Sequence, residues 1–457
     1  MSGLDASFYL LEDENTPLHV ASVIVMEGPA PSYGDLVRTI VSKLPQVPKY
    51  RQRVRSVPLH LGRPVWTDDP HFQILYHVRH TAVPGPGSDE QLRNLAGRVL
   101  AQRLDRDKPL WEIWLVEGLS EGRWAIIGKV HHCMVDGVAG MDLMTVLFEL
   151  EPDRRPLPEP EPWEPEPEPS GLALIADAVA RNTAQPLKLG GDLLWLARNA
   201  GRSLEAGGFA AGMARTLGRL LSPSEQTLNG PIGPHRRWSW VTASFKDVKT
   251  IRNAFGGTVN DVVLAGVTRG FRDQLEARGS LTTDTIVRSV VPVSVRSTDE
   301  KGELNNRVSA VLVNLPCGEP DPLRRLEIIR EQMDDLKRSN QAAGGKGLTR
   351  LTDMAVAPAL LALGARTPVR LRNPIVQTVT TNIPGPNFPL YMLGRQVVGL
   401  HPYVPLTGGI RVGIAIFSYL GSLNFGISAD FDAIPDIGVL TDGIRNGFEE
   451  LLKLADH

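Results

Sequence analysis

Apolar residues recur along this chain in two rhythms, one of period two and one of about 3.6, and their alternation predicts a layered α/β protein. In the first third, His19–Glu27 reads as a strand, Tyr33–Leu44 as a helix, and Asp89–Leu104 as a second helix opened by the capping box Ser88-x-x-Gln91. Trp111–Val116 and Trp124–Val130 flank the turn Ser120-Glu121-Gly122-Arg123, which predicts a β-hairpin. Met141–Leu150 returns to helical spacing. The later chain repeats the style with strand Trp238–Phe245, helix Thr258–Ala277, strands Ile286–Val295 and Val308–Leu315, and helices Pro322–Arg338 and Ile437–Leu454. The uncharged run Val412–Ala429 is interrupted by Leu420-Gly421-Ser422, so it reads as two hairpin strands and not as a membrane span.

Between these stretches, Glu151–Ser170 interleaves acids with Pro152, Pro156, Pro158, Pro160, Pro162, Pro165, Pro167 and Pro169. Such a composition makes neither helix nor central strand and predicts an exposed, extended crossover, with a docking motif as the alternative. It separates an N-terminal half, 1–150, from a C-terminal half, 224–457, with the linker at 151–170 and an amphipathic helical crossover at 171–223. In that crossover Leu193, Leu194, Leu196, Ala197, Ala200 and Leu204 form one apolar stripe, and Phe209, Met213, Leu217, Leu220 and Leu221 another. From Pro186 to Ser222 five basic side chains face two acidic ones. Helices of this kind either pack on the body of the protein or lie in a lipid interface.

A length of 457 residues exceeds what one core normally supports and agrees with two domains. The net charge of -2 argues against nucleic acid as a main partner and requires any attraction to a membrane to be local. The two cysteines, Cys133 and Cys317, stand in apolar contexts in different halves and give no disulfide framework, which suits a reducing cytoplasm. Asp5, Glu12, Asp13 and Glu14 near the start leave no basic n-region, so no secretory signal is expected and the protein is expected to stay inside the cell.

The stretch richest in chemistry is His131-His132-Cys133-Met134-Val135-Asp136-Gly137, where the second hairpin strand gives way to a turn and a helix. Strand alternation sends adjacent side chains to opposite faces, so one histidine addresses a substrate and the other is structural. Histidine, with an ordinary pKa of about 6.5, is suited to accept a proton at neutral pH. Asp136 is expected to fold back against an arginine and hold the turn. No His-Glu-x-x-His and no paired cysteines occur, so no metal site is expected. Cys133 reads as a core residue rather than a nucleophile.

The spacing His131-His132-x-x-x-Asp136-Gly137 resembles the signature of the acyl-CoA-dependent acyltransferases that include chloramphenicol acetyltransferase and peptide-synthetase condensation domains. Other motifs narrow the resemblance to the bacterial wax ester synthase/diacylglycerol acyltransferase family, particularly actinobacterial triacylglycerol synthases. They are Leu4-Asp5-Ala6-Ser7-Phe8, Pro109-Leu110-Trp111-Glu112, Val259-Asn260-Asp261-Val262, Val291-Pro292-Val293-Ser294-Val295-Arg296 and Thr381-Asn382-Ile383-Pro384-Gly385-Pro386. The resemblance implies two chloramphenicol-acetyltransferase-like mixed-sheet domains forming a pseudo-dimer, with the active-site channel between them. The motif occurs once, since the histidines of the second half are His235, His401 and His457.

The same resemblance implies His132 as general base, with His131, Asp136 and Gly137 completing the catalytic motif. It places Asn260 and Asp261 across the channel as substrate-binding residues and Arg296 beside Asp136. Pro109, Leu110 and Trp111 would support the site, and Asn305-Asn306 departs from the Gly-Asn of many members, a change that a left-handed turn tolerates. From the residues alone, Pro109-Leu110-Trp111 is equally a strand entry with a buried aromatic, Asn260-Asp261 a helix start behind the N-cap Thr258, and Thr381–Pro386 a strand ending in a rigid turn. The implied substrates are acyl-CoA and diacylglycerol or a long-chain alcohol, joined by direct transfer without a cofactor. The implied location is cytoplasmic, peripherally on the inner face of the membrane or on lipid inclusions through 186–222. A lipid- or CoA-binding module without catalysis and a condensation enzyme using carrier-protein thioesters are the competing classes.

Overall fold

The computed structural model describes residues 1–135, 143–152, 162–180, 227–294, 308–342 and 376–456. The stripes expected between 186 and 222, and Asn305-Asn306, lie outside the described residues. The first part of the chain runs α1 (Gly3–Leu11), β1 (His19–Met26), α2 (Tyr33–Lys43), β2 (Gln52–Arg55), β3 (Val65–Asp68), α3 (Ile74–His77), β4 (Val78–Ala82), α4 (Asp89–Ala101), β5 (Trp111–Glu117), β6 (Trp124–His131) and α5 (Leu143–Leu147). A helix at 171–180, α6, follows. The later part runs β7 (Arg236–Ser244), α7 (Phe245–Phe255), α8 (Val259–Ala277), β8 (Val287–Ser294), β9 (Val308–Leu315), α9 (Pro322–Ala342), β10 (Thr378–Ile383), β11 (Tyr391–Met392), β12 (Arg395–Tyr403), β13 (Val412–Tyr419), β14 (Ser422–Asp430) and α10 (Ile437–Ala455).

Two mixed six-stranded sheets carry most of these strands, in the orders β11-β12-β1-β6-β5-β4 and β7-β14-β13-β10-β8-β9, and β2 and β3 pair apart from them. All eight residues of β6 are buried, as befits a strand covered on both faces. On one face, Ile24, Met26, Ile113 and Ile126 pack with Leu36, Ile40 and Leu44 of α2 and its continuation. On the other, Val23, Val25, Ala125 and Ile127 meet Leu92, Ala96 and Val99 of α4 together with Trp238 and Trp240 of β7. The edge strand of the second sheet therefore closes the core of the first. Their approach is tight enough to demand glycine, because a Cβ on Gly426 would fall 1.6 Å from the Pro402 carbonyl oxygen.

Two expectations change here. The stretch 224–457 is not confined to the second sheet: β11 and β12 cross to the first, where β12 pairs antiparallel with β1 from Ala21↔Tyr403 to Met26↔Val397. Without β12, β1 would expose a row of unpaired backbone donors and acceptors at the sheet edge. The helix expected over Met141–Leu150 ends at Leu147. It stops because Glu149 exchanges two backbone hydrogen bonds, both 2.8 Å, with Tyr391 of β11.

The described part of the linker, 162–170, is extended as its prolines require, and it is also docked. Trp163 stands 6.1 Å from the ring of Phe72 and under the Arg51 guanidinium at 5.1 Å. Glu166 N–H donates to Asp68 Oδ2 at 3.0 Å, and Glu168 Oε1 pairs with Arg53 and Arg55, each at 3.1 Å. Among the described residues, no helix is long and apolar enough to cross a membrane.

Candidate active site

Strand β6 ends at His131, and the chain turns through a short 3-10 segment, His132–Met134. The turn is capped by the histidine before it: His131 Nδ1 accepts the Cys133 N–H at 3.1 Å. Because Nδ1 accepts, the proton of the neutral imidazole sits on Nε2, which lies 3.7 Å from Glu12 Oε1, beyond hydrogen-bond reach but close enough to interact electrostatically. Burial, reinforced by Arg106, His132 and Arg103, pushes the His131 pKa down to about 3, so this ring stays neutral.

His132 is placed differently. Its N–H donates to the Leu18 carbonyl at 2.8 Å, and its ring stacks on Phe8 of α1 with centroids 3.9 Å apart. Nδ1 is closed off from solvent and, among the described residues, hydrogen bonds to no other residue. Burial lowers the His132 pKa, while its own main-chain carbonyl and the Asp5 carboxylate work in the opposite direction. The imidazole is thus neutral near pH 7, the form that accepts a proton.

Cys133 is fully buried, and burial pushes its thiol up to about 12, which leaves no reactive thiolate. Leu110 and Trp111 are equally buried. The Leu110 carbonyl accepts the His131 N–H at 2.9 Å, and Trp111 Nε1–H donates to the Tyr50 carbonyl at 2.7 Å while its ring stacks on His77 at 4.6 Å. Pro109-Leu110-Trp111 therefore packs the floor beneath the motif. Among the described residues, no group of three or more His, Cys, Asp or Glu side chains is gathered to hold a metal ion.

At the start of α8, Thr258 and Asp261 form a reciprocal capping box: Asp261 N–H donates to Thr258 Oγ1 at 3.3 Å, and Thr258 N–H donates to Asp261 Oδ2 at 2.7 Å. Asp261 is thereby engaged in building the helix end. Asn260 faces the end of β10, where Asn382 Nδ2 donates to its Oδ1 at 3.5 Å, so two separate sequence motifs meet. No hydrogen bond joins Asn260 to His132. Asp136, Gly137 and Arg296 lie outside the described residues.

Sequence reasoning missed Glu12, whose side chain is only 1% exposed. Glu12 Oε1 accepts the Leu18 N–H at 3.2 Å, and Oε2 accepts Arg103 Nε–H at 3.1 Å with Arg106 Nε at 4.0 Å. Burial raises its pKa above the usual carboxylate value, and these partners offset part of that rise. Glu12 is the extended C-cap of α1 and so escapes helical periodicity, which leaves no local pattern that marks it out.

Residues 1–263 match the wax ester synthase/diacylglycerol acyltransferase catalytic domain, and residues 304–452 match the WS/DGAT C-terminal domain. The chain is 34% identical over 461 residues to the probable diacylglycerol O-acyltransferase tgs1 of Mycobacterium tuberculosis, covering 100% of this chain and 96% of that protein. Among solved structures, the wax ester synthase/diacylglycerol acyltransferase from Marinobacter aquaeolei superposes with a TM-score of 0.70 at 24% identity, covering 100% of both chains. The first condensation domain of the CDA synthetase gives a TM-score of 0.55 at 14% identity, covering 99% of this chain and 94% of that one. The fold is therefore the expected one, with two chloramphenicol-acetyltransferase-like mixed-sheet domains.

Proposed function

The chain belongs to the wax ester synthase/diacylglycerol acyltransferase family, and on that premise we propose that it makes triacylglycerol by acyl transfer from acyl-CoA to diacylglycerol, with His132 as general base. His132 takes the proton of the acceptor hydroxyl as that oxygen attacks the thioester carbonyl. The tetrahedral intermediate then collapses, the carbon–sulfur bond breaks, and the CoA sulfur leaves with the proton that His132 held. Because Nδ1 is closed off, Nε2 is the nitrogen left to do this. The observation that carries the reading is this neutral, largely buried imidazole, fixed by its backbone and its stack on Phe8.

Asn260 supplies the second element. With Oδ1 turned to Asn382, its Nδ2 donors are left for the substrate or the oxyanion. Direct transfer in a ternary complex calls for neither a cofactor nor a covalent acyl-enzyme. Long-chain alcohols present the same hydroxyl and are a second class of acceptor, giving wax esters. Both acceptors partition into lipid, and the basic, amphipathic stretch 186–222 is suited to bring a cytoplasmic enzyme to the inner membrane face or to lipid inclusions. Deleting 186–222 is expected to lower flotation with anionic liposomes, and unchanged flotation in a folded deletion variant would refute that role.

The decisive experiment incubates the protein and its His132→Ala variant with palmitoyl-CoA and either dioleoylglycerol or hexadecanol, following free CoA and lipid products. Triacylglycerol formed only with His132 present supports the reading. Substantial turnover by His132→Ala overturns the base assignment. CoA esters bound without product from either acceptor would point to a binding module instead.

A further inference from the structure

We propose that Glu12 is a positioning residue for the reaction, holding His132 in place through Leu18 and His131. The inference rests on His132 being the base. Three connections meet at this one residue, two of them through its carboxylate. It accepts the Leu18 N–H, and the Leu18 carbonyl in turn accepts the His132 N–H at 2.8 Å, so one residue links Glu12 to the backbone of the base. It faces the Nε2–H of His131, whose other nitrogen caps the turn that carries His132. It also ends α1, the helix that lays Phe8 on the His132 ring.

The outer side of Glu12 is gripped as firmly. Arg103 donates to Oε2, and Arg106 approaches it while donating to the Tyr9 carbonyl at 2.6 Å and covering the Tyr9 ring at 3.7 Å. A buried carboxylate is tolerated only when cations and N–H donors surround it, and here they come from the segment before β1, through Leu18, and the segment after α4, through Arg103 and Arg106. The ion cluster thus ties three chain segments to the turn bearing the base. His132 makes no side-chain hydrogen bond of its own to another described residue, so its ring depends on its backbone and on Phe8, the two supports that Glu12 connects.

Glutamine at this position has the right shape and the wrong chemistry. An amide presents one acceptor and one donor group, so it satisfies either Leu18 or Arg103 and sets an N–H against the other. Steady-state kinetics of Glu12→Gln and Glu12→Ala, normalised to folded protein by circular dichroism, test the role. Expected is a fall in kcat of about tenfold or more for Glu12→Ala with KM for palmitoyl-CoA within about twofold, and a smaller fall for Glu12→Gln, because displacement of a reacting group by an ångström costs this much. Should Glu12→Ala fail to fold, Glu12→Gln decides alone: an unchanged kcat, or a loss confined to KM, overturns the proposal. His132→Ala measured alongside separates the two levels. Its inactivity with a fully active Glu12→Gln removes only the positioning role, whereas turnover by His132→Ala removes the base itself.

Discussion

Phe8 lies nearly flat against His132, with ring centroids 3.9 Å apart and 27° between the planes. The stack covers one face of the imidazole and contributes to the burial that lowers its pKa. Phe8→Ala should let water reach that face and return the pKa toward its ordinary 6.5. A general base works when unprotonated, so the acid limb of the kcat/KM profile should move to higher pH, with a lower plateau from lost positioning. A limb that stays in place would show that the stack does not tune the base.

Asp5 stands on the same face of α1, three residues before Phe8, and its negative charge favours the protonated form of His132. Asp5→Asn removes the charge while keeping an oxygen for the Ser2 hydroxyl that now donates to it at 2.6 Å. The acid limb should then move to lower pH, opposite to the shift for Phe8→Ala. Profiles that move together would contradict this division between desolvation and charge.

Several histidines are buried in the neutral state, with His77 pushed down to about 4 and His131 and His401 to about 3, in each case chiefly by burial. Their folded pKa values lie below the unfolded value, so the unfolded chain binds more protons between the two. Stability from this source is complete above about pH 6.5 and is lost as pH falls toward 4 and 3, at up to about 1.4 kcal/mol per pH unit for each histidine. His401, stacked on Trp240 at 4.6 Å, is far from the motif in sequence and can be replaced by phenylalanine without touching the turn. Urea midpoints at pH 7 and pH 5 should differ less for His401→Phe than for the parent protein; an equal difference would exclude His401 as a contributor.

Gly426 allows β14 to pass the Pro402 carbonyl, and alanine there has no room. Gly426→Ala should force the two sheets apart and destabilise by about 1–3 kcal/mol or more, as overpacking does. A melting temperature within a degree of the parent would show that the contact relaxes freely.

Much of this architecture was legible because it is local. The hairpin of β5 and β6 follows from two apolar runs and a polar turn, and Leu420-Gly421-Ser422 marks the boundary between β13 and β14 with Gly421 at a positive φ of 78°. Thr258 and Asp261 announce their capping box by spacing, and that same box explains Asp261 as a helix-starting residue before any substrate role is needed. The heptad containing His131 and His132 identified the turn, though its two histidines are separated by the 3-10 turn as much as by strand alternation.

The chain by itself thus determined the order of strands and helices, the place of the two-histidine motif and, through residue types matched along its length, the family. Tertiary structure alone decided that β12 returns to cover β1, that Asn382 meets Asn260, and that Phe8 and Glu12 close over His131 and His132. Periodicity and capping act between neighbours within a turn or two, so sequence carries them openly. Which distant surface a buried carboxylate or an uncovered strand edge finds depends on where the whole chain folds back, and on the cost of leaving such groups without partners.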